Sequence, residues 1–139
     1  MARLRAIARA SHGDTRFYAD ERFPRERCGE LYDTWIRRSC EGWADAVLVV
    51  ERNDAPAGYV SVHRRDGSGS IGLIGVAEEQ RGRGVGEALV RGALAWCAGE
   101  ELARCTVVTQ GRNVGAQRLF QRCGFRTSEV DLWFHRWFT

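Results

Sequence analysis

Apolar residues fall along this chain in two rhythms, one helical and one alternating. From Arg25 to about Cys40, Leu31, Trp35 and Ile36 recur at helical spacing, with Pro24 at the start and Gly42 beyond the end, which predicts an amphipathic helix. Ala46 to Glu51 and Gly58 to His63 are β-branched runs separated by Asn53 to Ala57, the pattern of a hairpin. A second turn, Arg65 to Gly69, leads into a strand at 70–76, so the three runs predict an antiparallel meander. A helix follows to about Ala98, then a strand from Arg104 to Thr109, a helix from Asn113 to Cys123 closed by Gly124, and last strands across Phe125 to Phe138. Hairpins combined with one crossover unit predict a mixed α/β (α+β) fold: one central mixed sheet with flanking helices, forming a single domain over residues 1–139.

Composition narrows the class. Apolar residues make up 44% and charged residues 28% of 139 residues, as in a soluble globular protein. No apolar run approaches a membrane span, and Met1-Ala2-Arg3-Leu4-Arg5 is not followed by a signal-peptide core, so the expectation is a cytoplasmic protein with no membrane partner. A net charge of +3 is too small to argue for nucleic acid and suits an anionic small molecule better. The five cysteines have no Cys-x-x-Cys and no metal-ligand spacing, so neither a disulfide framework nor a metal site is expected. The three histidines, His12, His63 and His135, lie far apart in sequence and read as structural.

The chemistry concentrates in one stretch. Between the apolar run ending at Val76 and the helix beginning near Glu87 stands Gln80-Arg81-Gly82-Arg83-Gly84-Val85-Gly86. Strand, glycine turn and helix N-terminus together make a cradle for a pyrophosphate, because bare backbone amides and the helix dipole converge on one anion. The glycine spacing departs from the dinucleotide fingerprint, and no Lys-Ser or Lys-Thr follows to make a Walker loop. Arg81 and Arg83 add positive charge beside the turn.

This arrangement resembles motif A of the GNAT superfamily of acetyl-CoA-dependent N-acetyltransferases, with Arg81-x-x-Gly84-x-Gly86 after the strand ending in Val76. Asn113-x-x-Ala116-x-x-Leu119-Phe120-x-x-Cys123-Gly124-Phe125 is similar to the family's motif B. The resemblance implies acetyl-CoA as donor. It places Ile74, Gly75 and Val76 along the pantetheine arm and Arg81, Gly82, Arg83, Gly84, Val85 and Gly86 around the pyrophosphate, with Asn113 and Phe120 also at the donor. More weakly, Arg22-Phe23-Pro24, the helix with Tyr32 and Trp35, and the ending Trp133 to Trp137 are similar to the TDP-fucosamine acetyltransferase group, which acetylates an amino sugar on a nucleotide. The implied reaction is acetyl transfer to the primary amine of a small molecule, with Arg22, Phe23, Tyr32 and Trp35 as acceptor contacts; core packing accounts for Trp35 equally well.

One departure matters. Phe120 stands where the family commonly has a tyrosine that protonates the departing thiolate, so no catalytic residue is assigned. A non-catalytic acyl-CoA-binding module and a protein N-acetyltransferase share the same motifs. The aromatic ending, apolar on both faces of its expected strand, predicts a homodimer through that edge.

Overall fold

The computed structural model describes residues 1–12 and 20–138. It opens with α1 (Ala2–Ser11), a helix the sequence reading had not assigned. Leu4, Ile7 and Ala8 form its buried stripe at the i, i+3, i+4 spacing of one helix face. Three arginines occupy the remaining faces, and two of them bind the next helix, α2 (Arg25–Arg38).

Asp33 of α2 is nearly buried and receives both arginines. Arg5 donates through Nε to Oδ1 at 2.5 Å and through a terminal nitrogen to Oδ2 at 2.7 Å, and Arg9 adds a contact at 3.3 Å. These guanidinium bonds, Arg5 foremost, hold the Asp33 carboxyl down at about 2. Arg3 extends the same seam to the other end of the helix, pairing with Glu79 and reaching the Pro56 carbonyl at 3.4 Å.

The helix expected over Arg25 to Cys40 is present, with Pro24 as its N-cap, but its inner face is rotated from the expected stripe. Cys28, Tyr32 and Ile36 are buried, whereas Leu31 is 40% exposed. A π-helical turn, Ser39–Trp43, then carries the chain into the sheet, with Gly42 at φ 111°.

The sheet runs β1 (Ala46–Arg52), β2 (Ala55–Arg65), β3 (Ser68–Val76) and β4 (Arg104–Val107), in that spatial order. The first two pairings are antiparallel and the third is parallel. Both hairpin turns are shorter than the sequence suggested. Asn53 and Asp54 lie at φ 52° and 60°, Asp66 and Gly67 at 52° and 75°, the left-handed pairs whose twist matches flanking strands. Helix α3 (Val85–Gly99) makes the crossover to β4, and α4 (Val114–Arg122) follows. On one face Tyr59, Leu73 and Ala77 pack against α1 and α2; on the other Val60, Val62 and Ile71 pack against Val85, Leu89 and Ala93 of α3.

The last strands expected across Phe125 to Phe138 are not formed: those residues have no regular secondary structure, and Val130, Leu132, Phe134 and Phe138 are exposed. The physical reason is visible in the pattern. A segment with large apolar groups on both faces lacks the alternation that fixes strand register, and β4 offers a ladder of only four residues.

The α1–α2 seam predicts a pH signature. Because the carboxyl of Asp33 is lowered in the fold, its contribution is complete above about pH 4 and is lost as pH falls through about 2. Asp33→Asn is expected to cost about 1.5–3 kcal/mol at neutral pH and to flatten the acid limb of a denaturation profile. An unaltered Tm and acid limb would contradict this.

Candidate functional site

Strand β3 pairs with β4 only from Ser68↔Arg104 to Ile71↔Val107. Beyond that point β4 has ended and Val108 is 92% exposed, while β3 continues to Val76 with β2 as its only strand partner among the described residues. The direction of its free polar groups follows from two bonds on the other side. Leu73 N–H donates to Ser61 Oγ at 2.9 Å and Ala77 N–H to the Ala57 carbonyl at 2.8 Å, both towards β2. Strand alternation then turns the N–H and C=O of Ile74 and Val76 to the edge that β4 has left. At the end of that edge Ser11, the last residue of α1, donates its hydroxyl to the Val76 carbonyl at 3.4 Å.

The glycine turn sits directly after this edge. A single 3₁₀ turn, Glu78–Gln80, precedes it, and Arg81 N–H returns to the Glu78 carbonyl at 3.2 Å. Gly82 and Gly84 lie at φ 72° and 80°, and a Cβ at either would meet nothing within 4 Å, so the backbone there faces open space. Gly84 is the N-cap of α3, whose first internal bond runs from Ala88 N–H to the Gly84 carbonyl at 3.0 Å. The amides of Val85, Gly86 and Glu87 are therefore outside the helix ladder, at the positive end of its dipole. Gly86 differs from the other two. A Cβ there would lie 3.1 Å from Leu119 Cδ2, so this glycine lets α3 approach α4.

Arg81 and Arg83 are exposed at the turn. A third arginine, which the sequence reading missed, joins them: Arg52, at the end of β1, donates to the Arg83 carbonyl at 3.1 Å. Only the sheet order brings this residue, 31 positions away, to the turn.

Helix α4 carries the second motif. Asn113 Oδ1 accepts from Ala116 N–H at 3.1 Å, an N-cap bond. At the other end Gly124 N–H bonds the Gln121 carbonyl and Phe125 N–H the Phe120 carbonyl, each at 3.0 Å, a Schellman closure with Gly124 at φ 96°. Phe120 and Phe125 meet edge to face at 5.8 Å, the apolar contact that accompanies such a cap, and Phe120 is 5% exposed.

The expected acceptor residues separate into two groups. Tyr32 and Trp35 are part of the packing beneath α1: Tyr32 is buried, stacked on His12 at 4.3 Å, and Trp35 lies between Tyr32 and Trp43 at about 6 Å from each. His12 also contacts the Tyr59 hydroxyl at 3.2 Å, and burial holds its imidazole down at about 4. Arg22 and Phe23 stand outside the core and meet the chain's aromatic ending. Phe23 packs edge-on against His135 at 5.6 Å and Trp137 at 4.9 Å, and the Arg22 guanidinium carbon lies 6.0 Å from the Trp137 ring centre. Asp20 ties the group together. Its Oδ1 accepts from Arg22 N–H at 3.0 Å, and its Oδ2 from Trp137 Nε1 at 2.9 Å and from His135 Nδ1 at 3.2 Å. The Trp137 bond foremost, then the Arg22 amide, keeps this carboxyl below its usual range.

A depression of about 290 Å³ lined by Leu94, Cys105, Cys123, Gly124, Phe125 and Arg126 lies behind β4 and shares no residue with the glycine turn or the Asp20 group. Burial pushes the Cys105 thiol there up to about 12, so it is a protonated, unreactive group. Among the described residues no cluster of His, Cys, Asp and Glu could hold a metal ion, and no helix is long and apolar enough to cross a membrane.

The turn geometry separates two substitutions that its sequence spacing does not. Gly84→Val places a β-branched residue at φ 80° in the open cradle, and acetyl-CoA affinity by calorimetry is expected to fall roughly tenfold or more, about 1.4 kcal/mol of binding. Gly86→Val instead crowds Leu119 and is expected to cost about 1–3 kcal/mol of stability. Unchanged affinity in a folded Gly84→Val chain would contradict the assignment of the turn.

Comparison with known proteins gives these parts a common context. The chain is 26% identical over 131 residues to the spore coat polysaccharide biosynthesis protein SpsD of Bacillus subtilis, covering 94% of this chain and 45% of that one. It is 28% identical over 136 residues to a dTDP-fucosamine acetyltransferase of Escherichia coli O6:H1, covering 96% and 58%. The chain thus spans about half the length of these curated relatives. In fold it is similar to an aminoglycoside N-acetyltransferase, AAC(6′)-Iy, solved in complex with CoA, at a TM-score of 0.61 and 19% identity over 77% of this chain and 91% of that one. A match to the acetyltransferase (GNAT) family runs from residue 4 to residue 125, through both glycine-closed motifs and all four strands, and the chain belongs to that family, whose acyl donor is acetyl-CoA.

Proposed function

We propose that this chain transfers the acetyl group of acetyl-CoA to the primary amine of a small molecule, with a nucleotide-linked amino sugar as the acceptor class to test first. The observation that carries the donor half is the bare edge of β3 leading straight into an open glycine turn. An amide-bearing pantetheine arm can pair with Ile74 and Val76 as an added strand does, and the pyrophosphate can lie on the amides of residues 85–87 beside Arg52, Arg81 and Arg83. A neutral amine then attacks the thioester carbon. The carbonyl oxygen gains negative charge that an outward β3 amide can stabilise, and the C–S bond breaks as the thiolate leaves. Much of the acceleration comes from holding the two reactants in line.

The acceptor half rests on Arg22 and Phe23, which stand with the aromatic ending outside the core. Phe120 supports a second reading. Without a hydroxyl it cannot donate a proton, so a module that binds acetyl-CoA without transferring the acetyl group keeps the same donor geometry.

Acceptor-dependent release of free thiol, measured across a panel of amines that includes dTDP-linked amino sugars, separates the two. Transfer is expected. Binding of acetyl-CoA with no acceptor-dependent thiol from any amine would favour the non-catalytic module. For the accepted amine, Arg22→Ala is expected to raise KM, and an unchanged KM would remove that contact. Phe120→Tyr is expected to leave acetyl-CoA affinity nearly unchanged and to hold or raise kcat, since general-acid help is worth about 10²–10⁴ in rate. A large fall in kcat with intact binding would show that the phenyl ring itself is required.

A further inference from the structure

The transfer reaction needs a base for the acceptor, because a primary amine is an ammonium ion at neutral pH. The fold brings one imidazole to the point where β3 leaves β4. Tyr59, Ser61 and His63 alternate along β2 onto the sheet face that α1 and α2 cover. Beneath them is Gly72, the residue that follows the last β3–β4 pair, Ile71↔Val107. His63 Nε2 lies 2.7 Å from the position a Gly72 Cβ would occupy, and Ser61 Oγ lies 2.9 Å from it. The glycine therefore leaves the space that the ring fills, two residues from Ile74 on the open edge.

The ring is held by packing and left free in its hydrogen bonding. Trp43, 56% exposed at the end of the π-helical turn, meets it edge to face at 4.9 Å. His63 is half-buried, and among the described residues neither ring nitrogen has a hydrogen-bond partner. With no partner to fix the tautomer, the form that carries its proton on Nδ1 and its lone pair on Nε2 is open to it. No neighbouring charge is committed to the imidazole. Strand β3 carries no titratable side chain. Glu41 of the π-helical turn pairs with Arg37, Asp45 accepts from the Arg64 amide, and the Arg64 guanidinium pairs with Glu100. Burial raises the Cys40 thiol, which stays uncharged. His12, further along the same face, differs: it is buried, lies 3.2 Å from the Tyr59 hydroxyl and is held at about 4, too low to deprotonate an ammonium.

We propose that His63 is the general base of the reaction, taking a proton through Nε2 from an acceptor ammonium that enters beside Trp43. This rests on the acetyl-transfer reading above. With the phosphates at the glycine turn and the arm running back along Val76 and Ile74, the thioester end of the donor comes to Gly72, beneath this imidazole. One ammonium proton passes to Nε2, the freed nitrogen pair forms the C–N bond, and the C–S bond breaks. The thiolate takes a second proton from the same nitrogen, leaving amide, free thiol and imidazolium, which returns its proton to water.

With the amine accepted in the thiol-release assay, His63→Gln is expected to lower kcat/KM for the acceptor by about 10²–10⁴-fold. Acetyl-CoA affinity should be unchanged, and the deficit should shrink as pH rises towards the amine's own ionisation. His63→Ala opens a space over Gly72, and added imidazole is expected to restore part of its rate. Transfer that survives His63→Gln with the same rate and pH profile would overturn the base alone, as would a deficit that neither imidazole nor rising pH relieves, the mark of a packing role. The wild-type chain gives a reading independent of any variant: with CoA bound, the nitrogen-15 signals of the His63 ring should shift on saturation with the amine, and unmoved signals would overturn the assignment. A wild-type chain that binds acetyl-CoA but releases no thiol with any amine would overturn the transfer reading, and this assignment with it.

Discussion

The parting of β3 from β4 after Ile71 is the constraint on which the rest of this structure depends. A sheet ordinarily saturates both edges of an interior strand, and here β3 loses one partner halfway along. The cost of turning the Ile74 amide and carbonyl and the Val76 amide away from any strand is tolerable only where water or a ligand can reach them, while the Val76 carbonyl accepts from Ser11. The same divergence delivers the chain to Gly82 and Gly84 with room in front of the backbone. Strand edge and helix N-terminus thus form one continuous line of hydrogen-bonding groups, suited to a long donor with amides in its arm and phosphates at its end.

Each face of the sheet contributes differently to that line. On one face α3 packs on the sheet through Val85, Leu89 and Ala93, which fixes its N-terminus at the turn, and Gly86 against Leu119 joins it to α4. On the other, the arginines of α1 fix α2 through Asp33, and Ser11 ends α1 on the Val76 carbonyl. A third assembly joins a segment before α2 to the chain's aromatic ending, with a single carboxylate, Asp20, accepting three hydrogen bonds.

The elements most legible in the sequence were those whose signals are local. Asn113 and Gly124 bracket α4 by capping chemistry, and the β-branched runs and turn residues give the meander. Features set by tertiary partners were not legible. The inner face of α2 is chosen by α1 and the sheet, so Tyr32 turns inward and Leu31 outward despite their similar claims on the core. Helix α1 itself escaped notice because its apolar stripe is only three residues wide among three arginines, counterions for Asp33 and Glu79 that no local pattern reveals. Arg52 and Asp20 reach their partners across long sequence separations, and nothing in their neighbourhoods marks them. The aromatic ending misled for the opposite reason: strong β propensity in Trp133 to Phe138 does not make a strand without an alternation to set its register.

Titration of the nitrogen-15-labelled chain with CoA, followed amide by amide, tests the central claim most directly. The largest shifts should fall on Ile74, Val76 and residues 85–87, with the β1 amides of Ala46 to Val50 little changed. Shifts centred on Leu94, Cys105 and Cys123 behind β4, with Ile74 and Val76 unmoved, would show that the open edge of β3 is not where the donor lies.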